Sequence, residues 1–178
     1  MLGKLFKKWV RKDDGVTAVE FSLLLAPYMM LTLGIIELAM MFLSASLLEG
    51  STNSAARLIR TGQLQEAAQA PEQVFRDALC SYNMAFINCN DIVVEVQQLA
   101  SFNDFGAAVP TFDGDGNLVS SGVDPGGASD RVLIRTAYRY DIMTPIVGQL
   151  LTGGSGSRVF MSTIVLQSEP YDFEGASS

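Results

Sequence analysis

The chain has 178 residues, 48% of them hydrophobic, with a net charge of -7, two cysteines and no histidine. Without histidine, Ser-His and Cys-His nucleophile systems and histidine metal sites are excluded. The acidity argues against nucleic acid as a partner. No glycine-rich phosphate loop follows a strand and no carboxylate pair stands out, so neither an enzyme nor a cofactor is expected.

Charge divides the chain unevenly. Residues 1–15 hold Lys4, Lys7, Lys8, Arg11 and Lys12 against Asp13 and Asp14, a balance of +3. The remainder has seven Arg against seventeen Asp or Glu, a balance of -10. By the positive-inside rule the basic flank stays in the cytoplasm and the acidic remainder lies across the membrane.

Between them runs GVTAVEFSLLLAPYMMLTLGIIELAMM, Gly15–Met41. It is longer than the roughly 20 apolar residues that cross about 30 Å of hydrocarbon. A span over about 16–42 is therefore expected. A secretory signal would have a shorter apolar core, closed by small residues at a cleavage site. Glu20 and Glu37 lie inside the run, and carboxylates at such depth mark functional positions. Glu37 falls at the outer headgroup level or faces a partner helix. Pro27 removes a backbone donor, which predicts a kink or unwound turn near Leu23–Pro27.

Helical signals continue to Ala70, with Leu48, Thr52, Ala55 and Ile59 on one face. The expected long helix is therefore 16–70, about 80 Å if unbroken, with Gly50 and Gly62 as places to bend. A domain over 71–178 follows. Pro71 opens a second helix whose buried face is Val74, Ala78 and Leu79. Asp91–Leu99 reads as a strand with Ile92, Val94 and Val96 on one face.

The stretch 100–130 is rich in glycine, with Pro110 and Pro125, and reads as an irregular loop. Asp113, Asp115, Asn117 and Asp124 fall on positions of a calcium-loop template, but Leu118 stands where that template needs glycine, so a solvated turn is the reading. Arg131–Ile142 is the strongest strand. It puts Val132, Ile134, Tyr138 and Tyr140 on one face, and Arg131, Arg135 and Arg139 on the other. That arginine row either binds an anion or, as preferred here, is a solvated face paired to nearby acids. Met143–Leu151 is an apolar connection, Ser157–Gln167 a third strand, and the last residues a tail. The fold class is α+β: a long N-terminal helix, membrane-spanning and then amphipathic, on a small and mainly antiparallel sheet. Cys80 and Cys89 both lie beyond the membrane, where an oxidising compartment permits a disulfide; two free thiols are the alternative.

The order of basic leader, Gly15, and an apolar segment with glutamate at its fifth position resembles a prepilin. GVTAVEF, the apolar run with Pro27, GIIEL at Gly34–Leu38 and SEPY at Ser168–Tyr171 together resemble the TadE-like pseudopilins of tight-adherence (Tad) pilus systems. The resemblance implies a pilin-like fold and cleavage between Gly15 and Val16 by a prepilin peptidase. It implies a minor pilin or pseudopilin in the inner membrane, single-pass, with its domain periplasmic, and possible incorporation in an extracellular pilus. Implied partners are a second TadE/TadF-like subunit, the major pilin and the inner-membrane assembly platform.

After such cleavage the new amine of Val16 lies one helical turn from Glu20. A neighbouring subunit's amine could pair with this Glu20, whose neighbour Phe21 shares the motif. Alternatively Glu20 snorkels to the headgroups. The competing function is an uncleaved, single-pass periplasmic binding or scaffold module.

Overall fold

The computed structural model describes residues 15–81 and 86–171. Residues 1–14 of the basic leader and the end of the tail from Asp172 lie outside the described residues. Helix α1 is Val16–Arg60, 45 residues, about 68 Å long at 1.5 Å per residue. It is built from Leu, Met, Ala and Ile, most of them strong helix formers. It passes through Pro27 without interruption, so the expected unwound turn is not there. The backbone keeps helical dihedrals although the Leu23 carbonyl has lost its usual donor.

The helix stops at Arg60 rather than at Ala70. Gly62 adopts a left-handed φ of 78°, a conformation that glycine reaches at little cost and that commonly ends helices. The amides of Thr61 and Gly62 donate to the carbonyls of Arg57 and Ile59 at 3.0 and 3.2 Å. A short turn of helix, α2 (Gln63–Glu66), and then α3 (Pro71–Ser81) follow.

Three strands, β1 (Ile92–Leu99), β2 (Arg131–Asp141) and β3 (Ser157–Gln167), form an antiparallel sheet in the order β1-β2-β3. Between β2 and β3 lies α4 (Pro145–Thr152). The register pairs Val96 with Ile134 and Ile134 with Ile164. Even-numbered residues of β1 and β2 therefore share the face against α1, as strand alternation requires. The core joins Leu48, Ala55, Ile59, Phe75, Val96 and Ile134, among others. Phe75 is fully buried in α3 together with Leu79, which turns that helix slightly from the expected face of Val74, Ala78 and Leu79.

The buried stripe of α1 against the domain is made largely of small residues. Ser44, Ser51, Thr52, Ala55 and Ala56 are all buried, and they bring the helix close to the sheet. Thr52 and Thr136 share a hydroxyl hydrogen bond of 2.6 Å across that contact. At the far end the Glu169 amide donates to the Arg60 carbonyl at 2.9 Å. The SEPY segment is thus fastened to the end of α1.

The arginine row differs from the solvated face expected of it. All three side chains reach into the 100–130 loop, which folds back over that face of β2. Arg131 donates to the Ala100 carbonyl at 3.1 Å and lies over the Phe102 ring. Arg139 reaches the Asn117 side chain at 2.7 Å and the Asp115 carbonyl. Arg135 is buried and pairs with Glu95 at 3.0 Å, its cross-strand neighbour, while also donating to the Ala108 carbonyl. The other Glu95 oxygen accepts from the Ser121 hydroxyl at 2.8 Å.

Asp113 accepts from the amides of Asp115 and Asn117 at 3.0 and 2.7 Å. With the Asn117 side chain as the largest contributor, these bonds hold its carboxyl below the usual carboxylate range. This is a turn knitted by its own aspartate. The arginines help hold the loop, together with the pairing of Val123 to Val96 on the edge of β1 and the burial of Leu118. Removing one partner of a buried ion pair strands the other, at about 3–5 kcal/mol. Arg135→Ala is therefore expected to destabilise the domain by about that amount, and limited proteolysis should show earlier cleavage within 100–130.

Candidate functional site

The apolar half of α1 is exposed. Val16, Phe21, Leu24, Leu31 and Ile35 all present more than half of their surface. α1 is the one helix among the described residues long and apolar enough to cross a membrane, and it fits a single-pass membrane protein. Gly15 stands at its N-cap with φ -92° and ψ -15°. Val16, Glu20 and Phe21 follow in the first turns, all exposed. Glu20 is one turn beyond Val16, on the same side of the helix.

Glu37 behaves differently. It is 3% exposed and is the first residue of α1 to be buried. One carboxylate oxygen accepts from the Tyr140 hydroxyl at 2.9 Å and the Met143 amide at 3.1 Å. The other accepts from the Thr144 amide at 3.2 Å and the Thr144 hydroxyl at 3.0 Å. Tyr140 is on the α1-facing side of β2, near its end. Met143 and Thr144 form the turn into α4, where Pro145 opens the helix. Turn amides without strand or helix partners need an acceptor, and Glu37 is that acceptor.

Burial first, then the hydrogen bond to Glu37 and its charge, push the Tyr140 phenol up to about 12. At neutral pH it keeps its proton and donates. The sequence placed Glu37 at a headgroup or against another helix. Within the chain, its carboxylate is bonded by the protein's own domain. Tyr140 and Thr144 were missed as its partners. The Thr-Pro helix start and the inward position of Tyr140 were the available signals, but nothing local ties them to a residue in the membrane helix.

Cys80 at the end of α3 and Cys89 before β1 form a disulfide with Cα atoms 5.8 Å apart. It closes the short connection between the helix and the sheet.

A long exposed apolar helix packed on a small three-stranded antiparallel sheet defines an α+β chain whose helix suits a single membrane pass. The model of the TadE-like protein family matches residues 15–57, so it is the helix of this chain that is similar to TadE-like proteins. That match begins at Gly15 and takes in Glu20, Glu37 and most of α1. No curated protein and no solved structure matches the chain.

The four bonds to Glu37 are charge-assisted, each worth about 1.5–3 kcal/mol. Tyr140→Phe should lower stability by about that amount for one bond. Glu37→Gln should cost more, because an amide NH2 would confront donors. Thermal unfolding of the detergent-solubilised full chain checks both, and equal effects would contradict the geometry.

Proposed function

We propose that the protein is a minor pilin or pseudopilin of a Tad-type pilus, cleaved after Gly15 by a prepilin peptidase and then assembled with other pilins. One observation carries the reading: the family match starts at Gly15, where an exposed apolar helix begins with glutamate at its fifth position. The basic leader keeps the N-terminus cytoplasmic and the domain periplasmic. The disulfide agrees with an oxidising compartment. The partners are the peptidase, a second TadE/TadF-like subunit, the major pilin and the inner-membrane assembly platform. The protein's role is structural rather than enzymatic.

In this mechanism Glu20 is held ready for a charge from outside the chain. Cleavage leaves an amine on Val16 at the edge of hydrocarbon, and a neighbouring subunit displaced along the helix brings its amine to this Glu20. Each charge offsets the other where the dielectric is low. Phe21 beside it belongs to the same exposed surface, available to neighbouring helices. Glu37 is already engaged within the chain. Its part in assembly is to fix how the domain sits on α1, and so which surfaces a neighbour meets.

Intact-mass measurement of protein from peptidase-competent cells should show an N-terminus at Val16. A bulky substitution, Gly15→Leu, should leave the precursor uncut. Normal processing of that variant would show that the site is misassigned, and an intact Met1 in the wild type would favour an uncleaved anchor.

Glu20→Ala should separate two steps. Membrane insertion should persist, because a costly carboxylate has left the bilayer, and so should cleavage, because the peptidase acts on the precursor before any neighbour docks. Docking should fail, since a stranded charge costs about 3–5 kcal/mol, or roughly two to three and a half orders of magnitude in affinity. Crosslinking to the neighbouring subunit and pilus output are the readouts. Full piliation by the processed variant would remove the pairing mechanism.

A further inference from the structure

The β2–β3 connection does not stay with the rest of the domain. It folds down beside the apolar half of α1. Between α4 and α1 lie two apolar crevices, of about 420 and 600 Å³. Pro27, Met30 and Leu38 line them from α1, with Pro145, Val147 and Leu150 from the connection. Val147 is buried, whereas Met143 and Leu150 are each 71% exposed.

Depth follows from the helix rise. Pro27 is about 16 Å from Val16 and Leu38 about 33 Å. For a span entering hydrocarbon near Val16, α4 lies alongside the half of the bilayer nearer the domain.

The composition of the connection suits that depth. From Ile142 to Ser157, between Asp141 and Arg158, there is no charged residue. Its backbone is largely satisfied from within, as hydrocarbon demands. The Gly148 amide donates to the Thr144 carbonyl at 2.7 Å, and the Gly153 amide to Gln149 at 3.1 Å. The Ile142 amide donates to Gly156 at 2.9 Å, and the Gly156 amide to the Thr152 hydroxyl at 2.9 Å. Glu37, Tyr140 and Thr144 consume one another's polar groups at the upper margin.

We infer that the Met143–Leu151 connection is a membrane-embedded element: α4 inserts beside α1 into the domain-side leaflet, and lipid acyl chains fill the crevices between the two helices. This rests on the reading of α1 as a membrane span. The occupant is lipid because the exposed side chains, Gln149 apart, are apolar, the segment is uncharged, and its surface is continuous with the exposed surface of α1. Before assembly, then, the domain is held against the bilayer at two places.

The test uses the full chain reconstituted alone into vesicles of phosphatidylethanolamine and phosphatidylglycerol. The native cysteines are disulfide-bonded, so wild type is the unlabelled blank for a membrane-impermeant maleimide. Leu150→Cys and Met143→Cys probe the connection, Leu31→Cys the span, and the exposed Asp104→Cys the aqueous domain. Because a polar reagent partitions out of hydrocarbon, Leu150→Cys and Met143→Cys should react at least about tenfold more slowly than Asp104→Cys. Leu31→Cys should be protected likewise. A bimane on Leu150→Cys should be quenched by lipids with brominated acyl chains. Protection of Leu31→Cys with Leu150→Cys as reactive as Asp104→Cys would overturn the inference and leave the span intact. A reactive Leu31→Cys would remove the span reading and the inference together. Protection of Leu150→Cys in cell membranes but not in these vesicles would also overturn it, and would assign the surface to a partner subunit.

Discussion

The structure depends on where the carboxylate of Glu37 goes. A charged group in the outer part of a long apolar run is costly unless it is fully bonded, and here four donors converge on it, one from β2 and three from the turn that joins β2 to α4. The same bonds satisfy the turn. Helix and domain therefore meet at a fixed rotation and height. Residues before Glu37 are largely exposed and apolar, and the buried stripe of the domain begins with it. One side chain thus marks the boundary between the part of α1 suited to lipid and the part that belongs to a core.

Below and above that boundary the helix uses different physics. The upper half packs through small residues, so dispersion and close approach to β2 hold it, with the Thr52–Thr136 bond completing the contact. The lower half has few contacts of its own apart from the α4 connection. Its large side chains, Leu24, Leu31 and Ile35 among them, remain available to lipid or to other helices. An exposed surface of that extent is unusual for an isolated soluble domain. It suits a chain that passes from a bilayer to an assembly of like helices.

Much of the fold was legible in local pattern. The β-branched runs in 91–99, 131–142 and 157–167 located all three strands to within a residue, because alternation of apolar side chains is a local property. The apolar helix and the cysteine pairing were legible for similar reasons. The end of α1 was harder: nothing in composition says which of several weak helix positions yields, and Gly62 did so where Gly50 did not. The arginine row was read half right: Arg135 pairs with an acid, Glu95, as expected, but the face is covered, because a loop with no periodicity brings carbonyls and Asn117 onto it. Glu37 shows the same limit more sharply. Its donors are more than a hundred residues away in the chain, and only the folded sheet delivers them. The readings of Gly15, Val16 and Glu20 concern events between molecules, so neither local pattern nor a single folded chain decides them.

The continuity of α1 has a mechanical consequence. No hinge separates the exposed apolar half from the half that packs on the sheet, and the buried stripe from Glu37 to Ile59 runs nearly parallel to any pull along the axis. Such a pull loads the contacts of the stripe in shear, many at once, rather than peeling them one after another. At the far end the Glu169 amide on the Arg60 carbonyl resists the last turn being drawn through. A subunit drawn by its membrane helix would therefore move as one body, with its sheet carried along instead of unravelled.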